Sequence, residues 1–456
     1  MIPYHLMLFS CAFAGKNPFG PRLSIAEFAS KFLLSNQEVV ANKQKRFTAY
    51  LKKAADGTLL HRPDVNVPYV AHMTYHKPMW GVLQSSYADV EKELEVMREQ
   101  HKDKRILFVG GDGLSIIRMN HLLLQRPERY IDSTPLIIPV QGEAPHGVFH
   151  VMHGGWRLYS RFIRAAADAT LGIELAKAVV DEPTVKVFNT QIYALWWMTR
   201  ACSEYLLLLS RTPGAPSIDQ PAEFIAECEK NVDLAWVAHF LYDFAYLVLN
   251  FKQEVRANRS KHIDVLWREF FSVGNTGTAN KTNYVPMAIM RIFWADALAP
   301  DLAHLYHNLR AIPMSKRVFV GWDTPIEWLN GAITDGVRQL VSDGRIEEFV
   351  ANYSLMNHSY ASLLDVLEVL HGGNGTSHMK DMSSNVDEMK KWLVDKVGKD
   401  WATATVRNRS TKLGIKRGVL PWVEVRESMS QPGADSVPAT ICRHVRHLTK
   451  TFYAFR

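Results

Sequence analysis

Along this chain the hydrophobic pattern changes character once, and that change limits what the chain can fold into. Arg105-Ile-Leu-Phe-Val-Gly-Gly-Asp-Gly is a short apolar run cut off by glycines, and Pro135-Leu-Ile-Ile-Pro-Val is a second short run. Both read as strands: the first buried with a tight exit, the second at a sheet edge, because proline cannot donate to a ladder. Ahead of them, Val90, Leu94 and Met97 recur at helical spacing among the acids of Tyr87 to His101, and Ile116 to Gln125 resumes that spacing. After Gly154 the pattern is helical over Trp156 to Val180, Thr190 to Leu209, Pro221 to Lys230, Asp233 to Ala257, Asp264 to Phe271 and Pro286 to Leu309. Ile326 to Phe349 follows. A few strands followed by a long run of helices predict an α/β (α+β) protein, and one architecture that suits the order is a small α/β core interrupted by a large all-helical insertion.

The expected organisation is a helical N-terminal segment over 1–60, with Lys43, Lys45 and Arg46 on an exposed face, and the first part of the α/β core over 61–154. A helical insertion over 155–320, C-terminal helices completing the core over 321–400 and a basic tail over 401–456 follow. The chain's 456 residues can bury an ample core, and 47% apolar against 22% charged residues excludes wholesale disorder. Cys11, Cys202, Cys228 and Cys442 lie far apart, which excludes a disulfide scaffold or zinc-finger array and fits a reducing compartment. The apolar stretch Leu6 to Ala14 lacks a basic region ahead of it, so it reads as a core segment or the product of a truncated start rather than a secretory signal. Ile192 to Ser210 is broken by Arg200, Ser203 and Glu204 and reads as a buried helix, so a soluble protein without a membrane span is expected.

Charge is distributed unevenly. From Trp401 onward there are 10 Lys and Arg against 3 Asp and Glu, whereas residues 1–400 carry 43 of each sign. The whole excess of +7 therefore sits in the last segment, with Arg407, Arg409, Lys412, Lys416 and Arg417 in its first half. Such a segment attracts polyanions, nucleic acid first, by counterion release, unless it is simply a solvated extension.

Three places could carry chemistry. Asp112 follows the buried strand between Gly111 and Gly113, where glycine lets a ligand approach and a carboxylate can hold a metal; its plainer reading is a cap on the next helix. His146, His150 and His153 crowd into one helical stretch, but zinc would need further ligands and packing is the plainer role. Asp323 caps a helix opened by Pro325, and Glu327, between Ile326 and Trp328, is a glutamate in unusually apolar company, with Asn330 on its face. Asp64, between two prolines, reads alone as a turn residue.

Taken in order, these segments resemble a domain of unknown function (number 6589) of mobile-element origin. The resemblance rests on Gly111-Asp112-Gly113-Leu114-Ser115, on Gly147-Val-Phe-His150-Val-Met152, on Asn283-Tyr284 and on Asp323, Glu327 and Asn330, and covers about residues 60 to 340. It departs from the family at Gly113, where a larger polar residue is usual. It implies an RNase-H-like transposase core in which Asp64, Asp112 and Glu327 are the first, second and third acids. Together these would hold a pair of Mg²⁺ ions for phosphodiester cleavage and strand transfer on DNA in the nucleus. Three functions follow as expectations: a metal-dependent DNA nuclease or transposase, a catalytically inactive scaffold that binds nucleic acid or protein, and a nucleotide-binding kinase built on the Gly110–Gly113 turn.

Overall fold

The computed structural model describes residues 2–4, 7–11, 18–20, 27, 36–60, 74–75, 79–81, 87–111, 113–130, 135–141, 146–170, 188–274, 281–309, 311–315, 318–321, 383–408, 411–415, 418 and 420–430. In chain order the elements are β1 (Ile2–Tyr4), β2 (Met7–Cys11), α1 (Asn36–Ala55), β3 (Thr74–Tyr75), β4 (Met79–Gly81), α2 (Tyr87–Gln100), β5 (Ile106–Gly111), α3 (Gly113–Gln125) and β6 (Leu136–Gln141). The helices α4 (His146–Thr170), α5 (Phe188–Ser210), α6 (Pro221–Cys228), α7 (Val232–Arg256), α8 (Ser260–Gly274), α9 (Lys281–Ala297) and α10 (Pro300–Asn308) follow. The strands β7 (Ala311–Ser315) and β8 (Val318–Gly321) form a hairpin, and α11 (Ser383–Lys396) and α12 (Pro421–Ser430), with single helical turns at Pro127–Tyr130 and Trp401–Ala404, complete the described elements. The protein is thus α+β and mostly helical, with one mixed sheet.

The four-stranded sheet has the order β3-β2-β5-β6. β5 and β6 run parallel, Ile106 opposite Leu136 through Gly111 opposite Gln141, with α3 as the crossover. Ile106 to Val109 and Leu136 to Ile138 are buried, so both strands are apolar throughout, as sequence demands of a covered parallel pair. Among the described residues β6 has β5 as its one neighbour and so lies at the edge, the place its prolines require. Helix α3 buries Ile116, Met119 and Leu123 against β5 and β6, and α9 packs on both α3 and β6, where Trp294 Nε1 donates to Asn120 Oδ1 at 2.8 Å.

Several expectations are corrected here. The segment 1–60 is not purely helical: β2 pairs antiparallel with β5, Phe9 opposite Phe108, and so lies inside the sheet. A short apolar run has no period that separates strand from buried helix, and the open edge of β5 decides for the strand. Lys43 and Arg46 are 5% and 6% exposed rather than on a solvated face; Lys45 alone of the three is exposed. The helical stretch stops at Asn308 and gives way to the β7–β8 hairpin, so the region 155–320 is not all helix. Helix α11 of the region 321–400 packs on α5 and α4, with Trp392 6.4 Å from the Phe162 ring, and thus joins the helical body.

The centre of that body is α7. Its first part is α-helical to His239, Phe240–Ala245 form a π turn, and α geometry resumes from Tyr246. By length and apolar composition α7 is long enough to cross a membrane, the one such helix among the described residues. Here 94% of its most apolar stretch is buried within the protein.

Candidate functional site

The residues named from sequence divide sharply. Asp64, Asp112, Asp323, Glu327, Asn330, Arg409, Lys416 and Arg417 lie outside the described residues. His150 and Asn283 fall within α4 and α9. His153 is buried and 6.0 Å from the Phe149 ring, a packing position. Among the described residues no group of three His, Cys, Asp or Glu stands close enough to hold a metal ion. What the structure does define is the edge one residue short of Asp112: Gly111 and Gln141 are paired at the carboxyl ends of the parallel strands, and α3 and α4 start just beyond.

A second locus went unmarked in the sequence reading. A cleft of about 440 Å³ opens between α1, α6, α7 and α12, with Val39, Val40 and Ile225 on its apolar side and Glu229, His239, Asp243 and Arg426 on its polar side. His239 and Asp243 are four apart on α7, on one helical face across the start of the π turn. His239 Nδ1 lies 2.9 Å from Asp243 Oδ2, and its Nε2 lies 2.9 Å from Glu229 Oε1. A neutral imidazole has a single N–H, so bonding a carboxylate on each side requires the doubly protonated ring. Burial alone would lower the His239 pKa, but Asp243 and Glu229 outweigh it and hold the value above the ordinary one.

Asp243 is the hub. Lys43 Nζ donates to its Oδ1 at 2.9 Å, and the Tyr159 hydroxyl donates to its Oδ2 at 2.9 Å. Burial pushes this carboxyl up; Lys43 and His239 overcome that and drop it far below the usual carboxylate range. Glu229, hydrogen-bonded by His239 and Arg426, is lowered too, and Tyr159 is pushed well up by burial and by Asp243. On the cleft wall the Trp422 ring stacks on His239, centroids 4.7 Å apart and 6° from coplanar. Both imidazole nitrogens are engaged, so this ring is not poised to take a proton from a ligand. Its chemistry is that of a clamp binding α1, α6, α7 and α12 through matched charges. A parallel clamp joins α1 to α8, where the Arg46 guanidinium forks onto the buried Glu269 carboxylate.

The C-terminal segment is corrected as well. Over 401–430 its described residues are built into the body rather than forming a free tail: Trp401, Leu413 and Ile415 are buried. Asp233, fully buried at the start of α7, accepts from Asn408 Nδ2 at 2.9 Å, from the Thr411 hydroxyl, and from the backbone N–H of Lys412 and Leu413 at 2.9 and 3.3 Å. Arg407 and Lys412 remain exposed on that anchored segment.

One signal would have located the clamp. In the run Leu234 to Leu249 only His239 and Asp243 carry ionisable polar groups other than tyrosine, and two such residues at helical spacing in an apolar run must be paired. Glu229 and Lys43 carried no comparable mark: Lys43 meets Asp243 200 residues away, and Glu229 reaches His239 from outside the apolar run. No protein-family model, curated protein or solved structure matches the chain.

Proposed function

We propose that the chain is a transposase-derived nucleic-acid protein, an RNase-H-like core with a helical insertion, that acts in the nucleus as a Mg²⁺-dependent DNA nuclease and strand-transfer enzyme. The observation that carries the reading is the carboxyl edge of the parallel pair. β5 ends at Gly111 beside Gln141, and Asp112 is the next residue in the chain, at the end of a sheet where α/β proteins hold ligands. The donor set fits the ion: Asp64, Asp112 and Glu327 offer only hard carboxylate oxygens, which Mg²⁺ prefers. Bound there, a metal pair would supply an activated water and stabilisation of the leaving oxygen. Gly110, Gly111 and Gly113 carry no side chain to obstruct a phosphate.

A second reading, the catalytically silent scaffold, is favoured by the anchoring of 401–430, because a surface that presents fixed cations binds a polyanion whatever the carboxylates do. Labelled duplex DNA incubated with the purified chain and Mg²⁺ separates the two. Cleavage that Asp112→Ala and Glu327→Ala each abolish, with DNA binding retained, is the result expected of the enzyme. Binding without cleavage in Mg²⁺ or Mn²⁺ leaves the scaffold, and cleavage indifferent to both substitutions refutes the assignment of the acids.

A further inference from the structure

Helix α4 carries Arg157, Arg161 and Arg164 at spacings of four and three, which aligns them in one stripe. The opposite side is sealed, with Tyr159, Phe162, Ile163 and Ala166 buried. Arg161 and Arg164 are exposed and form no ion pair among the described residues. Elsewhere Arg126, Arg129, Arg200, Arg259 and Arg426 each hold a carboxylate. The anchored C-terminal segment comes to the same stripe: Gly418 passes so near Arg161 that a Cβ there would overlap the guanidinium. Exposed Lys412 lies six positions before Gly418 in that segment, within at most about 20 Å of it along the chain.

We propose that this face is a track for the phosphate backbone of double-stranded nucleic acid, running along α4 toward the sheet edge at Gly111 and Gln141. The inference rests on the nucleic-acid reading above and adds where the duplex lies. At ~1.5 Å per residue, Arg157 and Arg164 stand roughly 16 and 27 Å along the axis from the start of α4, which leads off from the end of β6. Arg157 is half-buried at the near end of the stripe, and the exposed pair Arg161 and Arg164 stand about 4.5 Å apart along the axis, close enough to grip neighbouring phosphates of one strand. Guanidinium forks suit phosphate oxygens, which accept them in pairs. A single strand would need exposed rings for its bases to stack on, yet Trp156 at the flank of the stripe and Tyr159 and Phe162 behind it are all buried. A membrane surface would need apolar side chains to insert, and none of the exposed large apolar residues belongs to α4. Asp168, a turn beyond Arg164, ends the stripe.

The test uses the full chain and a fluorescein-labelled duplex of about 30 base pairs of arbitrary sequence, with affinity read by anisotropy from 50 to 200 mM salt. Each phosphate contact adds about 0.9 to the slope of log affinity against log salt. Arg161→Gln with Arg164→Gln should therefore shrink the loss over this fourfold range by about twelvefold, and Arg164→Gln alone by about 3.5-fold. No described contact ties Arg164 to the C-terminal segment, so the single variant remains informative if the double variant disturbs the packing at Gly418. Wild-type slopes in both folded variants overturn the track while leaving DNA binding in place. A wild-type chain that binds no duplex overturns the nucleic-acid reading itself, and binding to phosphatidylserine vesicles in place of duplex assigns the face to membrane and overturns the track.

Discussion

Asp243→Asn tests the clamp most directly. The carboxylate receives three donors, Lys43 on one oxygen and both Tyr159 and His239 on the other. An amide of the same shape has a single acceptor oxygen, so whichever way it turns, its NH₂ faces at least one of those donors. It also removes the charge opposite Lys43, whose side chain is 6% exposed. Leaving a buried charge without its partner costs about 3–5 kcal/mol. For a cooperative unit of roughly 150–250 residues each kcal/mol moves Tm by about 2–4 °C, so a fall of roughly 10 °C is expected at pH 7. Circular dichroism at 222 nm with thermal scanning reads it, and Asp219→Asn is the control. Its ion pair with Lys52 has side chains 62% and 56% exposed, a class worth at most about 1 kcal/mol. The penalty also has a pH signature. The Asp243 pKa is depressed in the folded state, so its stabilisation is present above the unfolded value of about 3.9 and fades as pH falls below it toward the folded value. Asp243→Asn melting within about 2 °C of wild type at pH 7 would show that no buried charge depends on this carboxylate.

The remaining predictions concern the same packing. The His239 pKa is raised, so its contribution is complete below the unfolded value of about 6.5 and is lost as pH rises through the folded value. The chain should lose stability with rising pH in that window, and His239→Gln should flatten the profile; a slope that persists in the variant sinks the assignment. Gly155→Ala should lower Tm by several degrees. The new Cβ would press into the Phe244 ring, itself held 5.9 Å from Tyr159 and from Phe240, and overpacking of about 1–3 kcal/mol exceeds the ~1 kcal/mol that alanine gains in a helix. A Tm above wild type would show that Phe244 has room to move.

The elements legible in the sequence were those whose signals are local. The run Ile106 to Val109 ends at two glycines, and β5 stops there; Val90, Leu94 and Met97 recur at helical spacing, and α2 buries them. The prolines flanking and within Leu136–Val140 sent that strand to the edge, because a missing N–H is a local chemical fact. Gly111 likewise marked a tight exit without reference to anything distant.

Tertiary structure decided whatever depends on a partner far along the chain. Met7–Cys11 became a strand only because β5 offers an open edge about a hundred residues later. Lys43 and Arg46 look like solvated cations in isolation, and their burial follows from Asp243 and Glu269, 200 and 223 residues away. The segment after Trp401 reads as a basic tail from its charge, yet Asp233 captures its backbone N–H groups, which no side-chain pattern reports. Charge content is additive along a sequence, whereas whether a charge is solvated or paired depends on which surfaces meet, and that is known only once the helices have packed.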